Sequence, residues 1–165
     1  MIFRRNPLVR PTKDGRFEFR FPPHVGELVV HLGDQLDAML DTDLPDLNRL
    51  FPTAYPDDPE RDAGYQVLAR GELIDHRRSS LDTVRATVSH EILTENELMA
   101  WMNVVNDLRL VIGTKLDVSE DDPLIDQDDP EAPLHDVYAV LGMVLGEIVD
   151  GLSANLPDEG TEDRT

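Results

Sequence analysis

The chain has 165 residues, of which 34 are acidic and 15 basic, giving a formal net charge of −19, and it contains no cysteine. Sequence-general nucleic-acid binding needs a Lys- and Arg-rich surface to displace phosphate counterions, so this balance argues against it. Thiol redox chemistry and thiolate metal sites are excluded outright.

The first 21 residues read as a β-hairpin. Arg16-Phe17-Glu18-Phe19-Arg20-Phe21 alternates strictly, with three Phe on one face and the charges on the other. Asp14-Gly15 ahead of it is a tight-turn signal, because Gly accepts positive φ. Ile2 to Val9 is the expected partner strand, weakened toward an edge by Asn6-Pro7. A hairpin alone is marginal, so its Phe face should lie on helices.

After Pro22-Pro23 the period becomes helical: Val25, Leu28, Val29, Leu32, Leu36, Met39 and Leu40 form one stripe. Gly33 in that stripe costs about 1 kcal/mol against Ala, which predicts a close packing contact. A short helical turn is expected over Asp46 to Phe51. Asp58-Pro59-Glu60 is a helix start, with Asp as N-cap and Pro at the first position. Tyr65, Leu68, Leu73 and Ile74 follow, Gly71 predicts a break or kink, and a stripe from Leu81 to Leu93 continues to Thr94. Thr94-Glu95-Asn96-Glu97 matches a capping box and opens a helix to about Leu116. A last helix is predicted over Leu134 to Leu152, and the acidic stretch 157–165 is expected to be disordered. The expected fold is mainly α: a single domain over 1–156, with four to five bundled helices and the N-terminal hairpin.

Charge is uneven. Residues 1–21 carry six basic and two acidic residues, net +4, whereas the remainder has nine basic and 32 acidic, net −23. The basic segment suits an edge strand guarded against aggregation or, alternatively, docking on the acidic body, a second subunit or an acidic partner. Direct DNA binding is disfavoured, because the acidic body would repel a duplex. No apolar run is expected to approach the ~20 residues of a membrane span. The start lacks the apolar stretch of a signal peptide, so the cytoplasm is the expected compartment.

Chemistry-bearing motifs are sparse. Between Asp117 and Glu131 lie eight carboxylates, among them Asp121, Asp122, Asp126, Asp128 and Asp129, with no basic residue. Calcium or magnesium would suit such oxygens, but Pro123 and Pro130 interrupt the run and the EF-hand glycine is missing. A solvated acidic loop able to face a basic protein is the favoured reading. Five histidines occur and none stands four residues from another, so no helical zinc motif is present. Neither a nucleophile elbow nor a phosphate or dinucleotide loop is found, and no cofactor is predicted.

Asn103, Asp107 and Thr114 share one face of the Thr94-capped helix, with Asn106 at its margin. Buried there, they need partners, and Arg49 is the predicted mate of Asp107, clamping residues 46–58 to the bundle. Gly142 and Gly146, four apart on the last helix, predict either tight packing inside the bundle or, as the sharper alternative, a homodimer seam.

Two stretches carry a family resemblance. Arg49-Leu50-Phe51-Pro52-Thr53-Ala54-Tyr55 with Asp57-Asp58 is the first. Ala100-Trp101-Met102-Asn103, continuing through Asn106-Asp107-Leu108-Arg109-Leu110, Gly113-Thr114-Lys115-Leu116 and Glu120-Asp121, is the second. With Gly15-Arg16 and Tyr138…Leu141-Gly142, the chain resembles an actinobacterial family long without assigned function that includes the oxidative-stress regulator AosR. That member uses cysteines as a redox sensor and acts through a transcription complex. Lacking Cys, this chain departs from that mechanism and cannot form a disulfide.

The resemblance implies a regulatory, protein-binding role, with a sigma factor or another transcription component as partner. The expectation is therefore a non-enzymatic cytoplasmic adaptor. A metal- or metabolite-binding module, or an enzyme, is the alternative.

Overall fold

A computed structural model describes residues 5–116 and 130–156. Strands β1 (Val9–Pro11), β2 (Phe17–Phe19) and β3 (Ile92–Leu93) form one small sheet. The helices are α1 (Pro23–Met39), α2 (Pro59–Thr87), α3 (Glu95–Leu116) and α4 (Ala132–Ala154), with a 3-10 turn at Pro45–Leu47. The mainly helical class and the N-terminal hairpin stand as expected. The 157–165 tail and residues 1–4 lie outside the described residues.

The hairpin turns at Gly15, whose φ of 80° only glycine adopts cheaply. Val9 pairs with Phe19 and Pro11 with Phe17, both antiparallel, so the partner strand begins at Val9 rather than spanning Ile2 to Val9. The short strand avoids Pro7, and Pro11 ends it where a ladder donor would be needed. Phe17 and Phe19 are buried while Phe21 is half-buried. The sheet also gains a third strand: Ile92 and Leu93 pair with Glu18 and Phe17. Those two residues had read as the end of a helical stripe, but α2 stops at Thr87.

Helix α2 runs unbroken through Gly71 for 29 residues, so the chain does not break there. Nothing stands within 4 Å of where a Cβ at Gly71 would lie, so the glycine serves no close contact and the helix absorbs its propensity cost. Leu68, expected on the core stripe, is 81% exposed together with Val67. The first half of α2 instead holds the preceding loop: Asp62 accepts the Ala54 and Tyr55 N–H groups, and Gln66 donates to the Pro52 carbonyl. Asp58 caps the helix by accepting from the Arg61 N–H. Thr94 and Glu97 satisfy each other's N–H groups as the capping box requires.

The second half of α2 is fastened to α1 by Arg78, bound to Asp37 and Asp41, and Arg85, bound to Asp34 and Asp37. Gly33 faces α2 closely, as its cost implied: a Cβ there would stand 2.8 Å from Leu81 Cδ2. One core links sheet and helices through Phe17, Leu36, Leu81, Leu93, Trp101, Leu108, Leu141 and Ile148.

Helix α4 corrects one expectation. It is long and apolar enough to cross a membrane by length and composition, contrary to the reading that no such run exists. Only Leu141, Val144, Ile148 and Gly151 are buried along it. They form the face that packs on the rest of the bundle, and Glu147 accepts the Leu8 N–H at 2.8 Å. Along the Gly142–Gly146 strip the two glycines differ in what they face. Gly146 is open, and an arginine guanidinium rests on Gly142.

The close approach on α4 is at Gly151, where a Cβ would meet Val9 Cγ1 at 2.5 Å and the Val9 carbonyl at 3.3 Å. Gly151→Ala is therefore expected to destabilise by about 1–2 kcal/mol, overpacking exceeding the helical gain. Gly146→Ala, with free space, should instead stabilise by up to about 1 kcal/mol. Urea melts of both variants check this, and a loss at Gly146 would reveal a second copy seated on that strip.

Candidate functional site

The loop between α1 and α2 is held by arginines that the sequence had not singled out. Arg70 stacks over the Phe51 ring at 4.1 Å and donates to the Thr42 carbonyl. Arg77 donates to the Leu50 carbonyl at 3.0 Å and covers the same ring at 5.2 Å. Its Nε stands 3.4 Å from Asp107 Oδ2, an attraction of charges without hydrogen-bond alignment.

Asp107 thus takes Arg77, and the predicted Arg49–Asp107 pair does not form. The clamp itself exists, built from α2 instead of from the loop. Arg77 sits on the stripe Ile74, Arg77, Leu81, Val84, and a charge on an apolar stripe is the signal that could have found it. Asp107 is 9% exposed, and burial lifts its carboxyl to about 6, opposed by Arg77 and then His76. Asn103 is half-buried and Asn106 exposed, each without a hydrogen-bond partner among the described residues.

Arg49 turns toward the α3–α4 seam. Its Nη1 lies 3.2 Å from where a Cβ at Gly113 would be, and Tyr138 Cε2 and hydroxyl lie 3.3 and 3.7 Å from the same point. Arg109 joins them, its guanidinium carbon 4.5 Å from the Tyr138 ring centroid. It also lies alongside Gly142, where a Cβ would stand in ordinary contact at 3.4 Å from Arg109 Nη2. The structure therefore splits the predicted polar strip. Asp107 goes to α2, while Arg49 gathers with Arg109 and Tyr138.

An open cleft of about 720 Å³ lies between β2, β3, the start of α1 and the end of α2. Phe19, Phe21, Gly26 and Val88 are among its apolar lining residues and Glu18, Glu27 and Glu91 among its acidic ones, while Arg20 and His90 also line it. Glu18 is engaged by Arg10 and Arg20, and the hydrogen bond from Arg10 chiefly holds its carboxyl below the usual range. Glu27 and Glu91 have no ion pair among the described residues. Asp121, Asp122, Asp126, Asp128 and Asp129 lie outside the described residues. Within those residues, no three His, Asp or Glu side chains converge as a metal site.

A family model described as a domain of unknown function (DUF2017) matches residues 5–152. The chain belongs to this family. Similar relatives include the oxidative stress regulator AosR of Mycobacterium tuberculosis (strain ATCC 25618 / H37Rv), 30% identical over 154 residues and covering 68% of this chain and 71% of the relative. A putative oxidative stress regulator AosR of Mycobacterium leprae (strain TN) is 31% identical over 128 residues, covering 67% of this chain and 59% of that protein. No solved structure matches. In this DUF2017 chain the arginine cluster, the Asp107 clamp and the sheet cleft all fall inside the matched range.

Proposed function

We propose that this DUF2017 protein is a regulatory component of a stress response, acting by binding another protein, without catalysis and without cysteine chemistry. Its relatives are named as stress regulators rather than as enzymes, which supports a regulatory role. The absence of any thiol requires a signal other than disulfide formation.

The observation that carries the binding mode is the acid-edged cleft beside an apolar floor, on a body of strongly negative charge. Such a surface suits a basic partner segment bearing an apolar side chain: carboxylates steer it and the floor supplies contact area. A sigma factor or another transcription component in the cytoplasm is the partner class proposed. Asp121, Asp122, Asp126, Asp128 and Asp129 would add to the steering field.

Affinity capture with the full chain tests this. Yield of a specific partner should fall steeply between about 0.05 and 0.5 M salt, because surface electrostatics is screened over that range. Glu27→Gln combined with Glu91→Gln should weaken capture at low salt and leave the fold intact. Capture indifferent to both changes would count against electrostatic docking at the cleft.

A further inference from the structure

Among the described residues, seven arginines stand within 4 Å of a carboxylate. With acids outnumbering bases 34 to 15, that is the expected outcome for a cation. Arg5, Arg49, Arg61 and Arg109 depart from it, with no carboxylate within 4 Å among the described residues, and of these four Arg49 and Arg109 stand beside the same tyrosine. Their positions are also fixed relative to one ring. Arg109 lies over the Tyr138 face at 4.5 Å, while Arg49 Nη1 and the Tyr138 hydroxyl both lie within 4 Å of the Cβ position of Gly113.

A glycine eases this gathering. A side chain at Gly113 would press on Arg49 and Tyr138, while Arg109 lies in ordinary contact distance of the Cβ position of Gly142. Arg109 Nε is shut off from solvent with no acceptor, a donor whose desolvation is uncompensated. Two guanidinium groups gathered about one tyrosine without a counter-charge repel each other, and a bound anion would reverse that sign.

We infer that Arg49, Arg109 and the Tyr138 hydroxyl form a binding site for a phosphoryl group. The donors come from separate elements, α3, α4 and the loop after the 3-10 turn, so they approach an anion from several directions. A single planar carboxylate is better served by one edge-on guanidinium fork. Away from this spot the net charge of −19 disfavours anions, so binding should be confined to one equivalent per chain.

The test is titration of the full chain with inorganic phosphate, followed by the Arg Nε–Hε resonances in NMR. Chloride at matched ionic strength and acetate serve as separate arms. A saturable one-to-one shift of the Arg109 resonance with phosphate, absent with chloride, is expected. Affinity should fall roughly tenfold in Arg49→Gln, one charge-assisted contact being lost. Arg49 is exposed, so that variant keeps the test valid even if Arg109→Gln fails to fold. Tighter binding of acetate than phosphate would overturn the phosphoryl assignment in favour of a carboxylate-bearing partner. No shift, or an equal shift in Arg49→Gln, would overturn the site.

Discussion

Trp101→Ala is expected to cost about 3–5 kcal/mol of folding stability, the range for deleting a buried aromatic side chain. Trp101 is 0% exposed and joins the sheet to the bundle. Its ring lies 4.7 Å from that of Phe19, and its Nε1 donates to Thr87 Oγ1 at 2.8 Å. Thr87 in turn donates to the Thr83 carbonyl, so the indole closes a chain of satisfied buried groups at the end of α2. Trp101→Phe keeps most of the apolar volume and removes only the donor, so it should cost about 1–2 kcal/mol. Since a domain commonly has a total stability of about 5–15 kcal/mol, the alanine variant should approach the folding threshold. Urea denaturation followed by far-UV circular dichroism measures both, because Trp101 is the chain's single tryptophan and its fluorescence is lost. A loss below about 1 kcal/mol for the alanine variant would mean that the sheet is not anchored there.

Features whose cause is local were legible in the chain. Asp58-Pro59-Glu60 caps α2, Thr94 and Glu97 box α3, and Asp14-Gly15 turns the hairpin, because each depends on residues within a few positions. Gly33 was legible for another reason: a propensity cost inside a helix requires a compensating contact, here with Leu81. The third strand was not legible. Ile92 and Leu93 fit a helical stripe and a strand equally well, and only Glu18 and Phe17, remote in sequence, decide between them.

Pairings across the fold were equally hidden. Arg49 was the one mate the sequence offered Asp107, and the pairing of Asp107 with Arg77 instead depends on how α2 lies along α3. Likewise the spacing of Gly142 and Gly146 marks a strip without saying what rests on it. One glycine accommodates a guanidinium and the other faces open space. Residues of both resemblance stretches nevertheless meet at the α3–α4 seam, where Arg49 joins Arg109, Gly113, Tyr138 and Gly142.

Asp107 makes stability depend on pH in the direction opposite to an ordinary salt-bridged carboxylate. Its folded value of about 6 lies above the usual 3.8, chiefly because burial penalises the charge more than Arg77 and His76 relieve it. The folded state therefore holds that proton more tightly, and stability should rise as pH falls through about 6. The full penalty, about 3 kcal/mol, is present above that value and vanishes below the unfolded one. Asp37 and Glu18 act the other way, since arginine hydrogen bonds lower them, and their contribution is lost only at more acidic pH. Comparing wild type with the Asp107→Asn variant cancels these shared groups. From about pH 7 to about pH 5 the wild type should gain about 1–2 kcal/mol relative to that variant, which has no carboxyl to titrate at this position. Arg77→Met should enlarge the swing, because its removal withdraws the main attraction holding the carboxylate charged. Urea midpoints measured across that window decide the matter. Parallel curves for wild type and Asp107→Asn would show that Asp107 stays ionised in water and that the loop is not closed over it by Arg77.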